Sequence, residues 1–276
     1  MSDPATTRVE ITAEGSNLSR PAELWMTRDL LLILAGRDIK LRYRQTVLGA
    51  AWVVVQPLLA AAIFAFIFGR VARLPSEGVP YFVFAFTGFV LWNFISQVIT
   101  RVTASLVGNA HLVSKVFFPR LVLPLASALS SLLDLAVASC MLGALLVLSR
   151  QPLSPEILLA PLWILVALAF ALGTGLIAAA LVVSYRDVQH VLPVALQLLL
   201  FISPVAYATT AIPSGTDSWY SLNPLVGVVE GFRASLLASP PPTLSSAAYA
   251  IVATLALVLL GVVAFTRMER QFADVI

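Results

Sequence analysis

From residue 45 to residue 69 the chain carries no charged side chain, and immediately before that run stand four cations, Arg37, Lys40, Arg42 and Arg44. A helix over the uncharged run rises about 37 Å, enough to cross a hydrocarbon core of about 30 Å with some tilt. Basic residues flanking a first span are kept on the cytoplasmic side, so the amino terminus is expected inside and every later span alternates from there.

Composition makes this the rule for the whole chain. Of 276 residues, 59% are hydrophobic and only 11% charged, with a mean hydropathy of +0.94, which excludes an ordinary soluble domain and predicts an all-α polytopic membrane protein. The net charge of +3 and pI near 9.3 do not point to nucleic acid, because the cations sit at span ends rather than on one polar face. Residues 1–22 are polar, with Asp3, Glu10 and Glu14, and are expected to be a mobile cytoplasmic tail without a cleaved signal. Cys140 is the single cysteine, so no disulfide can form within the chain.

Residues 23–276 read as one transmembrane domain. Residues 23–36 can form a helix with Trp25, Leu31, Leu32 and Ala35 on one side and Asp29 and Arg37 opposite, with Arg28 intruding on the apolar side. Such a helix either lies on the cytoplasmic leaflet or packs under the bundle. Six spans are expected at about 46–69, 79–100, 121–149, 157–185, 191–208 and 244–266. Pro57 falls inside the first, where neighbouring helices can satisfy the freed carbonyl. Pro193, Pro204 and Pro213 limit the fifth, and 219–237, broken by Asn223, Pro224, Glu230 and Arg233, predicts short outer or re-entrant helices. Both termini then lie inside, with thirteen of the 17 Lys and Arg residues on the inner side and four outside.

Chemistry is sparse. Lys40 and Lys115 are the only lysines, and neither follows a phosphate-cradling glycine loop, so no nucleotide site of that kind is expected. His111 and His190 stand in no metal-binding spacing, and no cofactor or metal is expected in this chain. Asp134 is the one acid deep in a span and has no evident basic partner there. It reads either as a proton carrier or as a structural group hydrogen-bonded to Ser130, Ser131, Asn93 or Gln97. The aromatics Phe64, Phe68, Tyr81, Phe82, Phe86 and Trp92 can line a path on which sugar rings stack, or pack against lipid and neighbouring helices. The inner segment 101–120 is too polar to span and is expected to hold a short helix ending before Pro119.

Five motifs, in order, carry a family resemblance: RYRQTVLGAAWVVVQP at 42–57, HLVSKVFFPRLVLP at 111–124, YRDV at 185–188, SPVAY at 203–207 and LNPLVGVVEGFR at 222–233. Together they resemble the permease subunit of the polysaccharide-exporting branch of bacterial ABC transporters, of ABC-2 type, which handles O-antigen, capsule and teichoic-acid chains. The resemblance implies a homodimer in the inner membrane, working with two ATP-binding cassette subunits that bind ATP and Mg, and a lipid-linked polysaccharide as cargo. It further implies that His111, Leu112, Lys115, Phe117, Phe118 and Pro119 form the ATPase-coupling element, and that the interfacial helix uses Trp25, Arg28 and Leu32. Arg186 and Asp187 would mark the cytoplasmic end of span four, with Asn223, Pro224, Glu230 and Arg233 near the exit. A proton-coupled secondary carrier built on Asp134 and a membrane scaffold without transport are the other two classes open to such a sequence.

Overall fold

A computed structural model describes residues 27–43, 51–115, 118–151, 155–212, 220–237 and 239–275. The tail 1–22, Trp25, Arg44 and Phe117 lie outside the described residues. Within them the chain is helical and contains no strand. The helices are α1 (Arg28–Tyr43), α2 (Ala51–Phe64), α3 (Tyr81–Ala104), α4 (Ala110–Lys115) and α5 (Val122–Leu148), then α6 (Ala160–Ser184), α7 (Val188–Ile202), α8 (Pro224–Leu237) and α9 (Leu244–Val275). α2 runs on as a π-helix over Ala65–Val71, and a 3-10 stretch, Pro155–Leu159, leads into α6.

Five of these segments are long and apolar enough to cross a membrane: Ala51–Val71, Tyr81–Ala104, Val122–Leu148, Pro155–Ser184 and Leu244–Glu269. They match the expected spans one to four and six. The expected fifth span is the 15-residue helix α7, about 22 Å long, which starts three residues earlier than 191 and stops six before 208. Pro204 explains the stop, because the residue before a proline is pushed out of the helical region and Ser203 is extended, with φ −98° and ψ 149°. α1 differs the other way: it continues past residue 36 to Tyr43, through the cations Arg37 and Lys40.

α3 and α6 form the centre. In the most apolar windows, 78% of α3 and 67% of the α6 segment are buried by other parts of the subunit, against 11% of span one and 22% of α9. α3 packs against α2, α5 and α6, while α9 and α8 lie on α6. Small residues set the spacing. A Cβ added to Gly173 of α6 would stand 2.7 Å from the Leu257 and Val258 backbone of α9, and one on Gly261 would stand 2.5 Å from the Gly173 carbonyl oxygen. Membrane helices lacking a water-driven force between them pack through such close backbone approach.

The loop between spans one and two turns on left-handed residues, Arg73 (φ 53°), Glu77 (φ 57°) and Gly78 (φ 82°). Ser76 steadies it by donating to the Val79 carbonyl at 2.7 Å.

The α6–α9 seam yields a direct test. Gly173→Ala forces backbone apart along this seam, and overpacking of that kind costs about 1–3 kcal/mol. Thermal unfolding in detergent should show a lowered midpoint for Gly173→Ala, with Gly143→Ala, whose Cβ meets nothing within 4 Å, as the unaffected control.

Candidate coupling, charge-pair and outer-face regions

The inner segment folds as a 3-10 stretch, Val107–Asn109, followed by α4. His111, Ser114 and Lys115 are exposed, Leu112 is half-buried and Val113 is buried. Phe118 and Pro119 are half-buried, with Phe118 packed against the subunit's own core. Arginines tie the segment to helices distant in sequence. Arg37 of α1 donates to the Asn109 side-chain carbonyl at 2.6 Å, and Arg120 donates to the backbone carbonyl of Glu269 in α9. Asn109 in turn donates to the Ser105 carbonyl at 2.8 Å, which holds the segment against the foot of α3.

α1 packs on α5 through Leu34 and Ala35, with Leu30 and Leu31 half-buried beside them. The sequence grouping of Leu32 with Leu31 and Ala35 is split, since Leu32 and Ile33 are 59% and 68% exposed. Arg28 is also exposed, close to Asp29 at 3.8 Å. α1 therefore buries one apolar strip and presents a second strip outward.

Asp134 requires a correction. The sequence offered it no basic partner, whereas Arg101, read as the first residue of the inner segment, still belongs to α3 and turns back toward it. One Nη atom of Arg101 donates to Asp134 Oδ2 at 2.6 Å and to the Gln97 side-chain carbonyl, and the other donates to Ser131 Oγ at 2.8 Å. A long side chain whose backbone sits at a span end can carry its charge several ångströms along the helix, and here it does so inward rather than toward water. Gln97 and Ser131, two of the four partners expected to bond Asp134 directly, are instead joined to it through the Arg101 guanidinium. Val53 and Pro57 of α2 and Asn93 of α3 border the same small cleft.

Tyr185, Arg186 and Asp187 form the turn between α6 and α7. Tyr185 is extended, and the Asp187 carbonyl accepts from the backbone N–H of His190 at 2.9 Å and Val191 at 3.0 Å, starting α7. Arg186 and Asp187 are both exposed.

The six aromatics proposed for a path separate into two groups. Phe64 lies 5.4 Å from Phe68, 5.0 Å from Phe89 and 6.4 Å from Phe201, where α2, α3 and α7 meet. Phe82 stacks on Phe86 at 6.3 Å. Phe86 and Trp92 are buried within the subunit, while Phe64, Phe68, Tyr81 and Phe82 are half-buried.

Two motifs that are distant in sequence, at 203–207 and 222–233, bind one another. Asn223 donates to Ser203 Oγ at 2.9 Å, Arg233 to the Val205 carbonyl at 2.7 Å, Tyr220 to the Tyr207 hydroxyl at 3.3 Å, and Thr209 to Glu230. Pro224 opens α8, where its missing N–H would have no helical partner in any case. Arg233 is buried, with its guanidinium carbon 3.7 Å above the Phe84 ring. Gly88 makes room for it: a Cβ there would stand 2.0 Å from the Val205 oxygen and 2.6 Å from an Arg233 Nη. Tyr81 closes the group by donating to the Ala206 carbonyl at 2.8 Å. Burial lowers the Arg233 pKa to about 10, leaving it cationic at neutral pH, and burial raises that of Glu230 against the opposing effects of Thr209 and Arg233. Sequence reading found Asn223, Pro224, Glu230 and Arg233 but missed Tyr220, Thr209 and Gly88, which have no signature outside the folded chain.

Among the described residues no group of His, Cys, Asp and Glu side chains is placed to hold a metal. The ABC-2 type transporter family matches residues 29–237, a range that takes in α1, the inner segment, Asp134 and the outer motifs. An O-antigen export system permease protein RfbA of Klebsiella pneumoniae is 28% identical over 249 residues, covering 90% of this chain and 95% of that protein. The protein of the same name from Myxococcus xanthus is 29% identical over 236 residues, covering 83% and 90%. The polysialic acid transport protein KpsM of Escherichia coli is 26% identical over 207 residues, covering 73% and 78%. With most of its length matched by that family and its long apolar helices in place, this chain is a multi-pass membrane protein belonging to the ABC-2 type transporters.

Proposed function

We propose that the chain is the membrane subunit of an exporter that moves a lipid-linked polysaccharide from the cytoplasm across the bacterial inner membrane, energised by two separate ATP-binding subunits. The observation that carries this reading is its similarity over 83–90% of its length to O-antigen export system permease proteins, with a polysialic acid transport protein matched over 73%. Nothing favours a proton-coupled carrier, since Asp134 is committed to Arg101.

The working unit is a homodimer with both termini cytoplasmic. Supporting it are the apolar side chains that one subunit leaves exposed on neighbouring elements, Trp52, Leu59, Ile63 and Phe66 of span one and Val191, Val194, Leu198 and Phe201 of α7. The Phe64–Phe201 contact sets these two helices side by side. A second copy facing them would enclose a path flanked by Phe64, Phe68, Tyr81 and Phe82, with Phe86 and Trp92 backing the wall. α7 serves as the sixth crossing together with residues 203–208. Non-helical backbone is tolerated at membrane depth only when protein covers it, and Ser203, Pro204, Val205 and Ala206 are buried. The outer motifs form a frame beside the exit, and α1 lies at the cytoplasmic leaflet.

The inner segment receives the ATPase. His111, Ser114 and Lys115 supply its polar face, and Leu112, Phe117, Phe118 and Pro119 its apolar support. Buried aromatic anchors carry about 2 kcal/mol or more at an interface, roughly 30-fold in affinity, whereas a rim cation carries less. Phe117→Ala combined with Phe118→Ala should therefore reduce the ATPase recovered with the purified subunit at least tenfold, and Lys115→Ala should reduce it less. Unchanged recovery and export in a correctly inserted double variant would move the coupling element elsewhere.

A cell lacking the chain should accumulate lipid-linked polymer on the cytoplasmic side. A deletion strain that still displays the polymer at its surface contradicts the function.

At the outer frame Glu230 predicts a pH dependence. Its folded pKa lies above the ordinary 4.5, so its contribution to stability is complete below that value and is lost as pH rises through the raised pKa. Glu230→Gln removes the titration. Melting in detergent from pH 4 to pH 8 should show the wild type losing stability relative to Glu230→Gln, and parallel curves would show that the carboxyl is not stressed by burial.

A further inference from the structure

We propose that the Arg101–Asp134 pair is a positioning device that keys span two to span three, so that displacement of the inner segment moves both spans as one body. The proposal rests on the exporter reading and adds to it the route by which force leaves the inner segment.

The placement of the pair is the first argument. The chain leaves α3 at Ala104, forms the inner segment and re-enters the bundle at Val122, so Arg101 and Asp134 bracket that excursion from within the two helices it joins. The guanidinium engages Gln97 one turn back on α3 and both Ser131 and Asp134 on α5, spaced three apart and so on one face. Sliding α5 along α3 by one helical turn, about 5.4 Å, breaks both cross-helix contacts together.

Energetics supply the second argument. Asp134 is 5% exposed and Arg101 21% exposed. A buried ion pair adds little net stability over apolar side chains of equal volume, and ionisable groups within spans are costly. Neighbours that share the Asp134 cleft are already apolar, with Val90 and Phe94 of α3 and Leu135 and Ala138 of α5 buried. What the pair adds is a single register, the best-attested role for buried polar groups. The other arginine ties described, Arg37 to Asn109 and Arg120 to Glu269, hold the segment to α1 and α9, whereas Arg101, through Asp134 and Ser131, links the two spans that emerge from it.

The test uses the subunit purified with its ATPase and reads ATP hydrolysed per polymer exported, a ratio that mere loss of protein does not change. Asp134→Asn and Arg101→Gln should retain the ATPase, continue hydrolysis and lower export at least tenfold. Exchanging the charges, Arg101→Asp with Asp134→Arg, should restore at least a third of the export. If the neutral variants do not assemble, Arg101→Lys preserves the charge but gathers its donors on one compact ammonium without the planar fork that spans Gln97, Ser131 and Asp134, and it should raise the ATP used per polymer several-fold. A wild-type ratio in Arg101→Lys and Asp134→Asn, or export and hydrolysis falling in the same proportion, overturns the keying role while leaving the exporter intact. Wild-type subunit that carries no ATPase overturns the exporter reading, and the proposal with it.

Discussion

No water reaches the middle of a helix pack in a bilayer, so each polar group inside must find its partner in the protein. The rest of this structure depends on that constraint. It explains why Arg101 turns inward to Asp134, why Arg233 lies over Phe84 and donates to a bare carbonyl, and why the non-helical stretch after α7 is covered rather than facing lipid. Each solution uses an arginine, whose planar fork serves several acceptors at once and whose weaker hydration makes burial less costly than for lysine. The bonds are also long-range, so they determine which elements move together as well as satisfying local polarity.

The packing divides the subunit into a centre and a rim. α3 and α6 are enclosed, and α9 is clamped to α6 through Gly173 and Gly261. Span one and α7 are held on one side only, and span one is further weakened by Pro57 and by the π-helical turns that end it. Interior helices that cannot yield and peripheral helices that can is the arrangement expected where a second subunit and a bulky cargo have to be accommodated against the rim. The inner segment is anchored to the centre through α3 and α5 and to α1 and α9 through arginines, so it can transmit displacement in several directions.

Much of the fold was legible in the sequence because hydropathy and the charges at span ends are strong signals; four spans and the last helix were found within a few residues at most ends. The fifth was misjudged because apolarity continues past Pro204 although the helix cannot. α1 ran beyond its expected end because Arg37 and Lys40 look like a boundary in sequence, whereas in the fold Arg37 is absorbed by Asp38 and Asn109. The polar contacts were the least legible. Arg101 looked like a loop cation, and nothing marked Arg233 as buried, because reach and burial are decided by neighbours such as Gly88 and Phe84 that carry no charge signal. The motifs at 203–207 and 222–233 stood out individually, yet only the fold joins Ser203 to Asn223 and Val205 to Arg233.

The central claim is that this subunit is driven by ATP through a partner rather than by an ion gradient through its own acid. Reconstitution of the subunit with its ATPase into vesicles loaded with lipid-linked polysaccharide, followed by measuring polymer that becomes accessible on the opposite side, tests it most directly. The account predicts transport that requires ATP and persists when the proton gradient is collapsed. Transport by the subunit alone, following the proton gradient and indifferent to ATP, would contradict it.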